Sequence, residues 1–163
     1  MSTLKNAPHS LLAFLLLTLL CSAALAQQSE LPPCGPKGDL PPELSRNVAE
    51  DSRCFEIRMY KVDAERVGTK DFNGEIDALH QRFREEEVAI FQRLGAEIVG
   101  MFQSLDDPDT LVWMLAYRNR AHRQEVWEAF SKDPAWKVLK AKYNVPVKAE
   151  AFLLSATDYS PLK

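Results

Sequence analysis

Between Thr110 and Arg118 the chain reads Thr-Leu-Val-Trp-Met-Leu-Ala-Tyr-Arg, with apolar residues at both alternate sets of positions. If this run is a strand, Leu111, Trp113, Leu115 and Tyr117 share one face and Val112, Met114 and Ala116 the other. A strand that is apolar on both faces must be covered from two sides. Few arrangements of a short chain meet that demand, so the segments around this one decide the architecture.

Upstream, Phe55, Ile57 and Met59 alternate with Glu56, Arg58 and Tyr60, the period-two pattern of a strand with two unlike faces. Asp71 is placed to cap a helix whose apolar residues Phe72, Ile76, Leu79, Phe83, Ile90 and Leu94 recur at helical steps, and Gly95 stops it. Residues 96–104 read as a second strand and Asp106-Asp107-Pro108-Asp109 as a tight turn, so the second and third strands form an antiparallel hairpin. Asn119 caps a second helix carrying Val126, Trp127 and Phe130 on one side. Asp133-Pro134 restarts that helix, with Trp136, Leu139 and Tyr143 continuing the apolar side, and residues 145–157 close as a fourth strand. The order β-α-β-β-α-β predicts an α+β, ferredoxin-like βαββαβ domain. Its helices cover one sheet face only. A second copy of the sheet is the expected cover for the other, which predicts a homodimer.

Ahead of the domain, Lys5 is the only charged residue before the leucine-rich run from Leu11 to Leu20, and Ala24-Leu25-Ala26 has the small-x-small form of a signal-peptidase site. Residues 1–26 are therefore expected to be a signal peptide cleaved after Ala26, placing the product in a secreted or periplasmic location. The alternative is an uncleaved anchor, but the apolar run is shorter than the roughly 20 residues a spanning helix needs. No stable membrane span is expected after cleavage. Residues 27–52 carry Pro32, Pro33, Pro36, Pro41 and Pro42 with little apolar periodicity, and read as an extended N-terminal arm before a folded domain at 53–163. Downstream of the signal two cysteines remain, Cys34 and Cys54. In an oxidising compartment they read as a disulfide, with two free buried thiols as the alternative.

Charge narrows the partners. The chain has 20 basic and 23 acidic residues, and cleavage removes one lysine and no acid. The bases interleave with acids, as in Arg82-Phe83-Arg84-Glu85-Glu86-Glu87. A nucleic-acid partner is not expected of such a surface, because phosphate neutralisation needs a basic face.

These segments together resemble the NIPSNAP family. The resemblance covers Phe55 to Leu162 and rests on Phe55-Glu56-Ile57-Arg58-x-Tyr60, Gly95 and Gly100, Trp113-x-x-x-Tyr117 with Arg123 beyond it, Asp133-Pro134-Ala135-Trp136, and Ser160-Pro161-Leu162. It implies the dimeric α/β-barrel version of the ferredoxin-like fold. Arg118, Asn119 and Arg120 stand where the family commonly has acidic residues, a departure that bears on any charge-based partner. Family membership implies fold and dimerisation more firmly than activity.

Candidate site residues follow from the first and third strands. With Phe55, Ile57 and Met59 turned toward the helices, Glu56, Arg58 and Tyr60 are expected to face the barrel interior. There the carboxylate and guanidinium would orient a small apolar or amphipathic ligand, with Trp113 and Tyr117 as walls. The competing structural reading is a buried Glu-Arg pair that fixes dimer register and binds nothing. An enzymatic alternative is a cofactor-poor oxygenase or isomerase using Glu56, Arg58 and Tyr60, and a third reading is a protein interaction module. His80 and His122, the histidines left after cleavage, read as solvated or half-buried surface residues. No spacing suggests a metal site or a cofactor: there is no His-x-x-x-His or Cys-x-x-Cys, and the run Glu85 to Glu87 spreads its carboxylates around a helix.

Overall fold

A computed structural model describes residues 33–163 of the chain. The expected signal peptide with its cleavage point at Ala26, and the first residues of the arm, lie outside the described residues. Four strands form one antiparallel sheet: β1 (Cys54–Val62), β2 (Glu97–Gln103), β3 (Thr110–Tyr117) and β4 (Val147–Ser155), in the order β2-β3-β1-β4. Between β1 and β2 run α1 (Ile76–Arg82), one π turn (Phe83–Glu87) and α2 (Val88–Arg93). Between β3 and β4 run α3 (Arg120–Lys132) and α4 (Pro134–Lys142). This is the ferredoxin-like α+β arrangement.

The punctuation works largely as the sequence predicts. Asn119 Oδ1 accepts the His122 backbone N–H at 2.9 Å and opens α3. Asp133 Oδ1 accepts from the backbone N–H groups of Ala135 and Trp136 at 2.9 and 3.2 Å, with Pro134 at the first helical position. Gly95, at φ +97°, ends α2 in a left-handed conformation, and a Cβ there would stand 3.1 Å from the His122 ring. Asp71 departs from expectation. α1 begins at Ile76 after an extended Glu75, and the chain before it is held in turns by Asn73, which exchanges bonds with the Asn144 backbone at 3.0 and 2.8 Å. That docking to the loop before β4 outweighs the local capping preference of Asp71.

The assignment of the two sheet faces is reversed from the sequence reading. In β1 the set Cys54, Glu56, Arg58, Tyr60 and Val62 lies beneath the helices, while Phe55, Ile57 and Met59 lie on the open side. Register explains this. Arg58 is opposite Trp113 and Tyr60 opposite Leu111, and Trp113, fully buried, sits at the centre of the core with Leu79, Phe83, Phe91 and Val126. The helices follow the bulky aromatic face of β3, and the polar residues of β1 come with it because α3 supplies partners for them.

The arm is pinned at several points. Cys34 and Cys54 are bonded, Gly35 N–H donates to Ser155 Oγ at 2.9 Å, and Ala49 N–H to the Ala156 carbonyl at 2.9 Å. Val48 also bridges to Thr157, so the arm runs beside the end of β4.

Candidate functional site

Glu56 is fully buried, and its carboxylate is surrounded by donors from β1, β3 and α3. Arg123 makes a two-pronged contact, Nε to Oε2 at 2.9 Å and Nη2 to Oε1 at 2.7 Å. Arg58 Nη1 reaches Oε1 at 2.7 Å, while Tyr117 Oη and Trp127 Nε1 donate to Oε2 at 3.1 and 3.0 Å. Burial alone would push this carboxyl up; the hydrogen bonds and charges of Arg123 and then Arg58 outweigh it and hold the group below its ordinary range. The same burial, with the Glu56 charge beside it, drives the Tyr117 hydroxyl upward. With its oxygens occupied on all sides, Glu56 ties the sheet to α3 and has no lone pair left to offer a ligand.

Beyond this network, toward β4, the sheet and the helices part. A cavity of about 430 Å³ opens there, with Tyr60, Val147 and Ala149 on the sheet side and Trp127, Phe130 and Trp136 on the helix side. On the sheet wall β4 places a small residue beside a large one of β1: Ala149 is opposite Tyr60. Arg82, the last residue of α1, and Glu87, the last of the π turn, also line it, paired Nε to Oε2 at 2.7 Å. Burial pushes the Glu87 carboxyl up despite the opposing pull of Arg82, and pushes the Tyr60 hydroxyl up to about 12. Arg58 donates to Tyr60 Oη at 3.0 Å and lies 4.3 Å from the Trp127 ring centre, so the Glu56 network also sets the inner wall of the cavity.

A family model matches residues 55–161 and describes the NIPSNAP domain. This chain belongs to the NIPSNAP family. A NIPSNAP family protein of unknown function from Agrobacterium tumefaciens is 27% identical over 68% of this chain and 94% of its own, with a TM-score of 0.55. A second one from that organism, at 24% identity over 68% and 91% of the two chains, has a TM-score of 0.56. An uncharacterised NIPSNAP domain protein from Burkholderia xenovorans, at 18% identity over 66% and 98%, has a TM-score of 0.54. No curated protein matches the chain.

In this NIPSNAP domain the five residues singled out in the sequence do share one sheet face, though it is the helix-covered one. Glu56, Trp113 and Tyr117 are buried inside it, and of the five only Tyr60 lines the cavity. Trp113 is ringed by Tyr60, Phe83 and Phe91 at 5.0 to 5.7 Å, and its Nε1 is the buried side-chain polar atom without a partner among the described residues. His122 is more buried than expected: its Nδ1 accepts the Arg118 backbone N–H at 3.2 Å, and burial followed by the Arg118 charge lowers its pKa. His80, half-buried, pairs with Gln103 at 2.7 Å. Among the described residues no group of three or more metal-ligating side chains comes together, and no helix is long and apolar enough to cross a membrane. The sequence reading missed Arg82 and Glu87. Their five-residue spacing carries no meaning on a regular helix and becomes a pair only because the π turn aligns them.

Proposed function

We propose that this protein is an exported NIPSNAP-type homodimer that binds a small amphipathic molecule in the cavity between its sheet and its helices. The cavity itself carries the reading: about 430 Å³ lies within the range of small-molecule sites, and its walls are aromatic with a few convergent polar groups. The open sheet face supports the dimer. Phe102 is 57% exposed, Phe152 50% and Met59 37%, next to Ile57, Val112 and Met114, and a matching sheet would cover them all. The Cys34–Cys54 bond is in keeping with export.

A second reading rests on Glu87 and Tyr60. A buried carboxyl of raised pKa beside a phenol, both lining an aromatic cavity, suits proton transfer in an isomerase or a cofactor-poor oxygenase. Here Glu87 takes the role first considered for Glu56. Native mass spectrometry on protein purified from the exported fraction tests the main proposal. It should show a signal-cleaved dimer with extra mass that organic solvent strips off. A monomer would remove the dimer, and a bare dimer that also takes up no small-molecule probe would leave only an interaction module.

A further inference from the structure

The charges around the cavity are unevenly placed, and the helix geometry is adapted to place them. In a regular α-helix residues five apart project about 140° from one another, so Arg82 and Glu87 would point to different surroundings. The π turn Phe83–Glu87 realigns them, and both end up buried on the cavity wall as a 2.7 Å pair. Arg82 is thereby committed at the inner end, its guanidinium 5.1 Å from the Trp136 ring centre.

The rim carries two more cations. Arg66, on the short helical turn after β1, stacks 4.3 Å over Phe72, and Lys140 stands on α4; both are exposed, and both line the cavity. Neither has a carboxylate within ion-pair distance among the described residues, whereas the nearby Lys142 and Lys148 pair with Glu85 and Asp63. The cavity thus presents Arg66, Arg82 and Lys140 against one carboxylate, Glu87, in a chain whose formal net charge is −3. A local excess of positive charge on an acidic protein focuses attraction for an anion at that mouth.

We infer that the ligand is an amphipathic acid. Its flat apolar body lies against Trp127 and Trp136, its carboxylate or other anionic group is held at the rim by Arg66 and Lys140, and Glu87 and Tyr60 face its inner end. This inference rests on the small-ligand reading above and adds the chemical class.

The test uses the full mature protein and two probes of one ring system, anionic 8-anilinonaphthalene-1-sulfonate and neutral N-phenyl-1-naphthylamine, titrated by fluorescence. The wild type should bind the anion at least tenfold more tightly than the neutral probe. In Arg66→Ala/Lys140→Ala that advantage should disappear while affinity for the neutral probe is kept. Lys140→Glu alone, at an exposed helix position, should weaken the anion and spare the neutral dye, which guards against a misfolded double variant. Ala149→Trp, which fills the cavity, should abolish both. Equal binding of the two probes, unchanged by the rim variants, overturns the acid and leaves the cavity reading standing. Failure of both probes to bind, or binding that survives Ala149→Trp, overturns the cavity reading together with it.

Discussion

The two faces of the sheet are under the same requirement, burial, and only the helix-covered one meets it fully within the described chain. On the helix side β1 contributes Glu56, Arg58 and Tyr60, and burial is made tolerable by saturating one carboxylate with Arg123, Arg58, Tyr117 and Trp127 inside a single chain. On the open side Phe55 is buried against Ala116 and Ala156, but Met59 on β1, Phe152 on β4 and Phe102 on β2 stand exposed, and nothing in the described chain covers them. The difference shows that polarity in the sequence does not tell which face is inside. A charge surrounded by donors can be buried within the protomer, and an apolar row can be left for another molecule.

Glu56→Ala should break the helix side most severely. It strands Arg123 and Arg58 without their counter-charge and should cost about 3–5 kcal/mol in chemical denaturation; a loss below about 1 kcal/mol would mean that the network does not hold α3 to the sheet. On the open side, Phe152→Asp should weaken the proposed dimer by at least tenfold in Kd, or about 1.4 kcal/mol, read by sedimentation at several concentrations. It should leave the far-UV circular dichroism of the protomer intact, and an undiminished dimer would place the interface elsewhere. The contrast can also be read in pH. The Glu56 carboxyl titrates lower in the folded chain than its reference value of 4.5, so its contribution is present above that value and is lost as pH falls through the folded pKa. Glu56→Gln should therefore flatten the acid side of the stability profile, and an unchanged slope would assign that slope to other carboxylates. Asp133→Ala, at the start of α4 and remote from both faces, should cost only about 1 kcal/mol in thermal unfolding through the lost cap; a much larger loss would show that its 3.0 Å pairing with Arg93 matters more than the cap.

Much of the frame was legible because it depends on local signals. Asn119, Asp133-Pro134 and Gly95 act within a few residues of themselves, and the alternation in β1 and β3 marks strands wherever those strands end up. The candidate site was legible only in part. Glu56, Arg58, Tyr60, Trp113 and Tyr117 were correctly grouped on one face, but the orientation of that face depends on α3, whose Arg123 and Trp127 lie 67 and 71 residues from Glu56. Asp71 failed as a cap for a similar reason, since Asn144, 73 residues away, bonds to its carbonyl and to the Asn73 side chain.

The sequence by itself determined the order of elements, the family and the presence of two apolar faces on β3, because propensity, capping and periodicity are short-range properties carried by the residues themselves. Which face the helices cover, the opening of a cavity over Ala149 and the alignment of Arg82 with Glu87 were decided only by the tertiary structure. Those features depend on strand register, on one extra residue in a helical turn and on hydrogen-bond partners supplied from distant parts of the chain, and no local pattern encodes them.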